Sequence, residues 1–157
     1  MNRRRLLTLL AAPVLARAAR AQDRPQPELP KESLAIVTRD GAKHAFQVEM
    51  ALTPEQQATG LMFRPSVPAD GGMLFDWGAP RDSTMWMRNT ISSLDMLFIN
   101  PDGTIRRIAE NTTPESLSII ESRGPVRATL ELAAGTAKRL NIRVGDRVEQ
   151  RIFAPAR

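Results

Sequence analysis

The segment from Leu94 to Glu110 reads LDMLFINPDGTIRRIAE, in which two largely apolar runs flank the turn Pro101-Asp102-Gly103. Proline presets the backbone for a tight turn, and aspartate and glycine complete it, so this tripeptide is typical of a reversal between strands. The flanking runs, on either side of the turn, predict two antiparallel strands, Leu94 to Asn100 and Thr104 to Glu110. This hairpin indicates a mainly β fold.

Short apolar runs separated by turn residues continue in both directions along the chain. Leu34 to Arg39 and Ala42 to Ala51 flank Asp40-Gly41, a dipeptide that favours a tight hairpin. Further strands are predicted at Met73 to Trp77, Thr84 to Met87, Leu117 to Ile120, Val126 to Leu132 and Arg147 to Phe153. Many short strands predict a compact single domain, either a β-sandwich or a partly closed barrel.

One or two short helices accompany the strands. Thr53-Pro54-Glu55-Gln56 supplies a capping hydroxyl, a proline for the first turn and a glutamine that can reach back to the cap. This pattern predicts a helix from Pro54 to Thr59, before Gly60. Thr136 to Leu140 predicts a second helical turn.

The first 21 residues contain no acidic side chain and have the pattern of an export signal. Arg3, Arg4 and Arg5 precede an apolar run from Leu6 to Ala16, which is shorter than the about 20 residues of a membrane span. We expect cleavage near Ala21 and a periplasmic or secreted mature protein. The basic start fits a twin-arginine signal and also an ordinary signal peptide, and both remain open.

The mature chain divides into two predicted parts. Residues 22–33 contain Pro25, Pro27 and Pro30 and predict an extended tether, because proline lacks a backbone donor. Residues 34–153 form the predicted single β domain, for which we expect a monomer.

Composition excludes several function classes. The net charge of +5 depends on five arginines in the predicted signal, and the rest of the chain has 17 basic and 17 acidic residues, so we expect no nucleic-acid partner. The absence of Cys excludes disulfides and thiolate metal sites. His44 is the only histidine, so a zinc site or a Ser-His-Asp triad would have to include it. No metal or cofactor is predicted, and no membrane span after signal cleavage.

Several motifs occur together in an order that resembles a known family. They are Glu49 with Ala51 and Thr53, Gly60-Leu61-Met62 with Arg64, Gly72-Met73-Leu74-Phe75, Met85-Trp86-Met87-Arg88-Asn89-Thr90, Leu94-Asp95-Met96, Leu130-Glu131 with Gly135, and Gly145-Asp146. Over about residues 34 to 153 the chain resembles domain of unknown function 192 (DUF192), a family of small, often exported bacterial and archaeal proteins. The resemblance implies a compact, mostly β domain of jelly-roll-like type, and no established activity, substrate or cofactor.

The block around Trp86 contains the candidate ligand-binding residues. An aromatic face, a guanidinium, an amide and a hydroxyl within a few residues suit a sugar or a small carboxylic acid. These candidates are Trp86, Arg88, Asn89 and Thr90, together with Asp95. The alternative interpretation is a core tryptophan followed by a turn that Asn89 and Thr90 cap.

Carboxylates in apolar strands form a second candidate group. Glu49, Asp95 and Glu131 are desolvated unless paired, and Arg64 and Arg88 are the expected partners. They would form a structural network, with Glu49, Arg64 and Glu131 supporting a ligand pocket, or they would supply acid-base catalysis. Three functions therefore remain open: small-ligand binding or an accessory role, an acid-base hydrolase with paired carboxylates, and an interaction module that binds another envelope protein.

Methionines are numerous for a single domain. Met62, Met73, Met85, Met87 and Met96 include thioethers that could bind Cu(I) in an oxidising compartment. Each lies next to Leu, Phe or Trp in the sequence, so the filling of an irregular core is the simpler explanation.

Overall fold

A computed structural model describes residues 23–153, so the predicted signal peptide lies outside the described residues. The strands are β1 (Lys31–Val37), β2 (Lys43–Ala51), β3 (Gly71–Met85), β4 (Leu94–Ile99), β5 (Ile105–Ala109), β6 (Ile120–Ala133) and β7 (Arg147–Glu149). The helices are α1 (Pro54–Thr59) and α2 (Thr136–Arg139), and a 3-10 turn spans Arg151–Phe153. Among residues 23–153, no helix is long and apolar enough to cross a membrane.

All seven described strands belong to one sheet in the order β5-β4-β6-β3-β2-β1-β7. Neighbouring strands are antiparallel except β2 and β3, which run parallel. The sheet curls until its two edges meet: Ile105 N–H donates to the Asp146 carbonyl (2.8 Å), and Val148 N–H donates to the Gly103 carbonyl (2.7 Å). The result is a half-barrel, which confirms the mainly β class and, of the two predicted architectures, the partly closed barrel.

The inside of the curl contains one apolar core to which every described strand contributes. The core residues include Ile36, Val48, Leu74, Leu97, Ile105, Leu130 and Val148. Alternation along a strand sends the intervening side chains to the outer face, so Leu130 and Leu132 point inward and Glu131 points outward. The inner core is therefore separated from the outer face by the sheet itself.

The outer face has its own apolar cluster. Its buried members are Ala51, Leu61, Met73, Phe75, Met85, Met87, Leu94, Met96, Phe98 and Val126. Parallel strands need a crossover between them, and residues 52–70 provide it between β2 and β3. Leu61 and Val67 of this crossover pack onto the cluster, so the crossover covers part of the outer face.

Most local predictions agree with the structure. Helix α1 has the predicted bounds, and Thr53 and Gln56 form the capping box. The turns at Asp40-Gly41 and Pro101-Asp102-Gly103 join antiparallel strands. The predicted strand at Met73 to Trp77 is part of β3, whose pairing with β6 is interrupted by bulges. The predicted strand at Thr84 to Met87 overlaps only the end of β3, which stops at Met85.

Several predicted boundaries differ from the structure. Leu117 to Ile120 was predicted as a strand, but β6 begins only at Ile120, because Glu115 has a left-handed backbone (φ 59°) and Ser116 accepts a hydrogen bond from Met87 N–H. Strand β7 is short and ends at Glu149 before the 3-10 turn. Strand β1 begins at Lys31, ahead of the predicted domain start at residue 34.

The proline-rich segment before β1 lies on the domain. Gln26 Nε2 donates to the carbonyl oxygens of Gln56 (3.1 Å) and Gly60 (2.9 Å), which satisfies the end of α1. Leu29 N–H donates to the Glu49 carboxylate (2.8 Å), and its side chain packs on the outer cluster. Prolines keep the segment out of the sheet, but they do not prevent this anchoring.

The close approach of β3 to β6 at Gly72 generates a stability prediction. A Cβ at Gly72 would overlap the Glu131 carbonyl oxygen, whereas a Cβ at Gly71 would meet only the Pro68 side chain (3.1 Å). We expect Gly72→Ala to lower the free energy of unfolding by about 2 kcal/mol or more, because backbone must move. Urea unfolding measures the loss, and Gly71→Ala is the matched control with a smaller cost. Equal losses for both variants would contradict the steric argument.

Candidate functional site

A cavity of about 560 Å³ opens between the crossover and the outer face of the sheet. One wall comes from α1 and from the Gly60–Met62 turn, and the other comes from β3 and the residues that follow it. Phe75, Trp77, Trp86 and Ile119 contribute apolar surface, and Thr84 and Thr90 contribute hydroxyl groups. Its volume lies within the about 300 to 1,000 Å³ that is usual for small-molecule sites.

Glu131 lines the cavity from the outer face of β6. The sheet register places it opposite Met73 on one side and opposite Met96 on the other, both of them buried. Glu131 is only 4% exposed, and no described side chain forms an ion pair or hydrogen bond with its carboxyl group. Burial raises the pKa of Glu131 to about 8, so the carboxyl group holds a proton at neutral pH.

Trp77 and Arg81 form one side of the cavity. Trp77 packs against Phe75 with ring centroids 5.8 Å apart, and its indole N–H donates to the Thr129 hydroxyl (3.3 Å). A bulge between Asp76 and Arg81 interrupts the pairing with β6, and it returns the Arg81 guanidinium to a position 4.5 Å from the Trp77 ring centre. Bulges commonly redirect side chains in this way, and the stacking is a cation–π contact.

Trp86 and Arg88 repeat this arrangement at the mouth of the cavity. Trp86 is 42% exposed and lines the cavity, and the Arg88 guanidinium lies 5.4 Å from its ring centre. Both residues follow the end of β3 and share one side of the chain, while Met85 and Met87 between them are buried. Of the predicted block, Trp86 and Thr90 therefore line the cavity and Arg88 supports Trp86 from outside.

Glu49 and Arg64 form a buried ion pair beside the cavity and do not line it. The guanidinium donates two hydrogen bonds to the carboxylate, at 2.7 and 2.9 Å. Glu49 lies on β2 opposite Met73, so it occupies the same transverse row of the outer face as Glu131. The pair ties the crossover and the segment around Leu29 to the sheet.

Asp95 lies on the opposite face of the sheet from Glu131. It is fully buried and accepts hydrogen bonds from the backbone N–H groups of Asn111 (2.9 Å) and Ala137 (2.9 Å). Ala137 lies in the first turn of α2, so the carboxylate satisfies an otherwise unpaired helical donor. These two hydrogen bonds explain why a carboxylate is buried at position 95. Because Asp95 lies on the other face of the sheet, it does not line the cavity.

Asn89 occupies a turn next to the cavity. Its backbone has a left-handed φ of 55°, and its carbonyl accepts a hydrogen bond from Phe63 N–H (2.8 Å). The side-chain amide donates to the sulfur of Met62 (3.9 Å), and Met62 itself lines the cavity. Asn89 therefore positions a cavity wall.

The lining residues contain two ionisable side chains, Arg81 and Glu131. A hydrolase of the paired-carboxylate type needs two carboxyl groups facing one cleft, and Glu131 is the one acidic residue in the described lining. Within residues 23–153, no three His, Asp or Glu side chains are grouped as a potential metal site. Met73, Met85, Met87 and Met96 belong to the apolar cluster beneath the cavity.

Some cavity residues were not among the predicted site residues, including Trp77, Arg81 and Ile119. Trp77 is one of only two tryptophans, and Gly78 with Pro80 after it would have indicated a bulge. No sequence signal marks Arg81, because its orientation depends on that bulge. Ile119 lies in the segment that was predicted as a strand, and it is exposed at the cavity mouth.

Comparison with known proteins identifies related chains. The model of the family DUF192, described as "Uncharacterized ACR", matches residues 35–150. A crystal structure from Sinorhizobium meliloti 1021, of a protein provisionally described as a transcription regulator, is 49% identical with a TM-score of 0.79, and the match covers 81% of this chain and 98% of the other.

A second crystal structure is similar to the chain over a longer range. It is a protein of unknown function from Novosphingobium aromaticivorans DSM 12444, 36% identical with a TM-score of 0.76, and the match covers 89% of this chain and 99% of the other. No curated protein matches the chain.

The Glu49–Arg64 pair generates a second stability prediction. We expect Arg64→Met to lower the free energy of unfolding by about 3 kcal/mol, because it leaves the buried Glu49 carboxylate without its cation. Lys43→Met is the matched control: it breaks the exposed pair with Glu149 and should cost less than about 1 kcal/mol. Urea denaturation compares the two, and losses of similar size would show that the buried pair has no special structural role.

The raised pKa of Glu131 predicts how stability depends on pH. The ordinary carboxyl pKa of 4.5 applies to the unfolded chain, and the folded value is about 8. Between these values the folded protein retains a proton that the unfolded chain releases. The contribution of Glu131 is therefore fully present below pH 4.5 and is lost as the pH rises to about 8, by several kcal/mol in total.

Glu131→Gln, which stays neutral, should remove this loss. We expect the variant to gain stability relative to the wild type as the pH is raised from about 5 to about 8 in urea unfolding experiments. Glu55→Gln, at an exposed position of α1, is the control and should follow the wild type. Parallel pH profiles for wild type and Glu131→Gln would refute a buried, protonated Glu131.

Proposed function

Because the chain belongs to the DUF192 family, for which no activity is established, we propose its function from the cavity beside Glu131. The protein is a small-ligand-binding protein of the periplasm, and its ligand occupies this cavity. The main observation behind the proposal is Glu131, an almost fully buried carboxylic acid that lines an open cavity and whose carboxyl group has no hydrogen-bond or ion-pair partner among residues 23–153.

Burial of the Glu131 carboxyl group has an energetic cost. An unpaired polar group away from water costs on the order of 1 to 3 kcal/mol, and a charge costs more. Packing does not require a carboxyl group at this position. The residues opposite Glu131 on the two neighbouring strands, Met73 and Met96, show that apolar side chains fit this row of the sheet. A carboxyl group whose cost is not offset within the protein is a candidate for a function.

The surroundings of Glu131 support a ligand more than they support a closed core. Two aromatic walls, Trp77 and Trp86, offer flat apolar surfaces, and Thr84 and Thr90 place hydroxyl groups in the same cavity. A mostly apolar cavity with a few convergent polar groups is the usual composition of a small-molecule site. Trp86 keeps 42% of its surface exposed, which is surface that a ligand would cover.

The cellular context of the proposal comes from the sequence. The basic and apolar start of the chain supports export, with cleavage near Ala21, and the absence of Cys suits an oxidising compartment. The balanced charge of the remaining chain supports a small molecule as the partner more than a nucleic acid. We propose that the mature protein is a monomer.

The two tryptophans allow a direct test, because both line the cavity and the chain contains no others. We expect at least one class from a panel of sugars, amino acids, carboxylic acids and amides, each at about 5 mM, to shift both indole N–H signals of the ¹⁵N-labelled mature protein. The shifts should saturate, since small ligands of this size bind specific sites with measurable affinity.

Trp86→Ala supplies the matched variant. Loss of one aromatic wall should weaken the binding of any active compound about five- to tenfold. Leu117→Ala is the control, since Leu117 is 68% exposed and does not line the cavity. A panel that moves neither indole signal, or shifts that survive Trp86→Ala unchanged, would count against the cavity as the binding site.

A further inference from the structure

The charges that face the cavity are not balanced. Arg81 is the one cationic residue of the described lining, and no described acidic side chain pairs with its guanidinium, which contacts the Trp77 ring instead. The other lining group that can carry charge, Glu131, holds its proton at neutral pH. The lining therefore presents one net positive charge to a ligand.

The acidic groups on the neighbouring elements are paired or lie outside the lining. Asp82 of β3 and Glu121 of β6 are exposed and lie outside it. On β2, Glu49 is paired with Arg64, and on the bulged part of β3, Asp76 is paired with Arg127 of β6. Asp95 of β4 lies on the other face of the sheet, and Glu55 of α1 is exposed outside the lining. Arg88 adds a second cation at the mouth, where it is stacked on Trp86.

A protonated Glu131 is a hydrogen-bond donor that an anionic oxygen can accept. Hydrogen bonds from a neutral acid or a guanidinium to a carboxylate are among the strong ones, and they strengthen where water is excluded. Beside these two donors, the lining consists largely of apolar and aromatic side chains, including Leu61, Phe75 and Met85. A neutral sugar would leave both the positive charge and much of this apolar surface unused.

We infer that the ligand is a small monocarboxylic acid, bound as its anion, whose carboxylate is recognised by Arg81 and by the O–H of Glu131 and whose apolar body packs against Trp77 and Trp86. This inference rests on the proposed function, since it assigns a ligand class to the same cavity. A single negative charge matches the single cation of the lining, and an apolar or aromatic body matches the two indole walls.

A matched pair of probes tests the charge. Phenylacetate and phenylacetamide have nearly the same shape and differ in charge, so titrations followed by the two indole N–H signals compare them directly at about pH 6.5. We expect phenylacetate to bind about fivefold more tightly, because only the anion pairs with Arg81, whose exposure limits the gain. Arg81→Gln should abolish this preference. Arg139→Gln is the control, because it removes an equal charge from α2, which packs on the other face of the sheet.

The protonation of Glu131 is tested by measuring the affinity for both probes as a function of pH. Once Glu131 ionises, it repels the probe anion, so the affinity for phenylacetate should fall about tenfold per pH unit above about pH 8. The affinity for phenylacetamide should not show this fall. Glu131→Gln keeps a neutral donor at the same place, and its affinity for phenylacetate should stay constant over the same range.

The outcomes separate this inference from the proposed function. If phenylacetamide binds as tightly as phenylacetate, or if Arg81→Gln keeps the preference, the carboxylate assignment is overturned while ligand binding at the cavity stands. If panel compounds bind but phenylacetate and the other monocarboxylic acids do not, the ligand class is wrong and the site is retained. If no compound moves either indole signal, the proposed function itself fails.

Discussion

The parallel pairing of β2 with β3 is the constraint on which the rest of the structure depends. Every other neighbouring pair in the described sheet is antiparallel, so this is the one junction at which two adjacent strands are parallel and must be joined by a crossover. The crossover, residues 52–70, lies over the outer face and carries α1 with it. A cavity between helix and sheet exists because this covering is incomplete.

The burial of Glu131 follows from the same geometry. The curl of the sheet makes the inner face a closed apolar core, and the crossover turns the outer face into a second buried layer. A carboxyl group in that layer loses its hydration, and its pKa rises to about 8 as a result. Two other carboxylates of the sheet, Glu49 and Asp95, are each satisfied by protein donors, through a guanidinium and through backbone N–H groups. Glu131 differs from them in facing a space that another molecule can enter.

The Arg–Trp contacts at the cavity have a common physical basis. Each guanidinium lies against an indole face, where the ring attracts the cation and the cation restricts the ring. Without the stacked guanidinium, an exposed tryptophan side chain would sample several rotamers. The stacking therefore reduces the side-chain conformational entropy that is lost when a ligand binds. Anchoring of Gln26 to the end of α1 has a similar effect on the opposite wall. The cavity is thus bounded by elements that are already ordered.

The sequence by itself determined the local structure of this protein. The hairpin turns at Asp40-Gly41 and Pro101-Asp102-Gly103, and the bounds of α1, depend on backbone preferences of a few adjacent residues, which is why they were predictable. The mainly β class followed from the repetition of such signals. Family membership was also readable, because it depends on the order of motifs along the chain.

Tertiary structure alone decided which side chains meet. Glu131 and Asp95 look alike in sequence, as acids within apolar strands, yet the register places them on opposite faces, one beside a cavity and one at the start of α2. Trp77 and Arg81 approach each other only because a bulge lies between them. The segment Leu117 to Ile120 is mostly a loop and not the predicted strand, and the Met87 N–H donates a hydrogen bond to the Ser116 carbonyl just before it. Strand register and the parallel crossover arise from contacts between residues far apart in sequence, and no local pattern encodes them. Gly78 and Pro80 mark the bulge locally, but they do not show which side chain the bulge redirects.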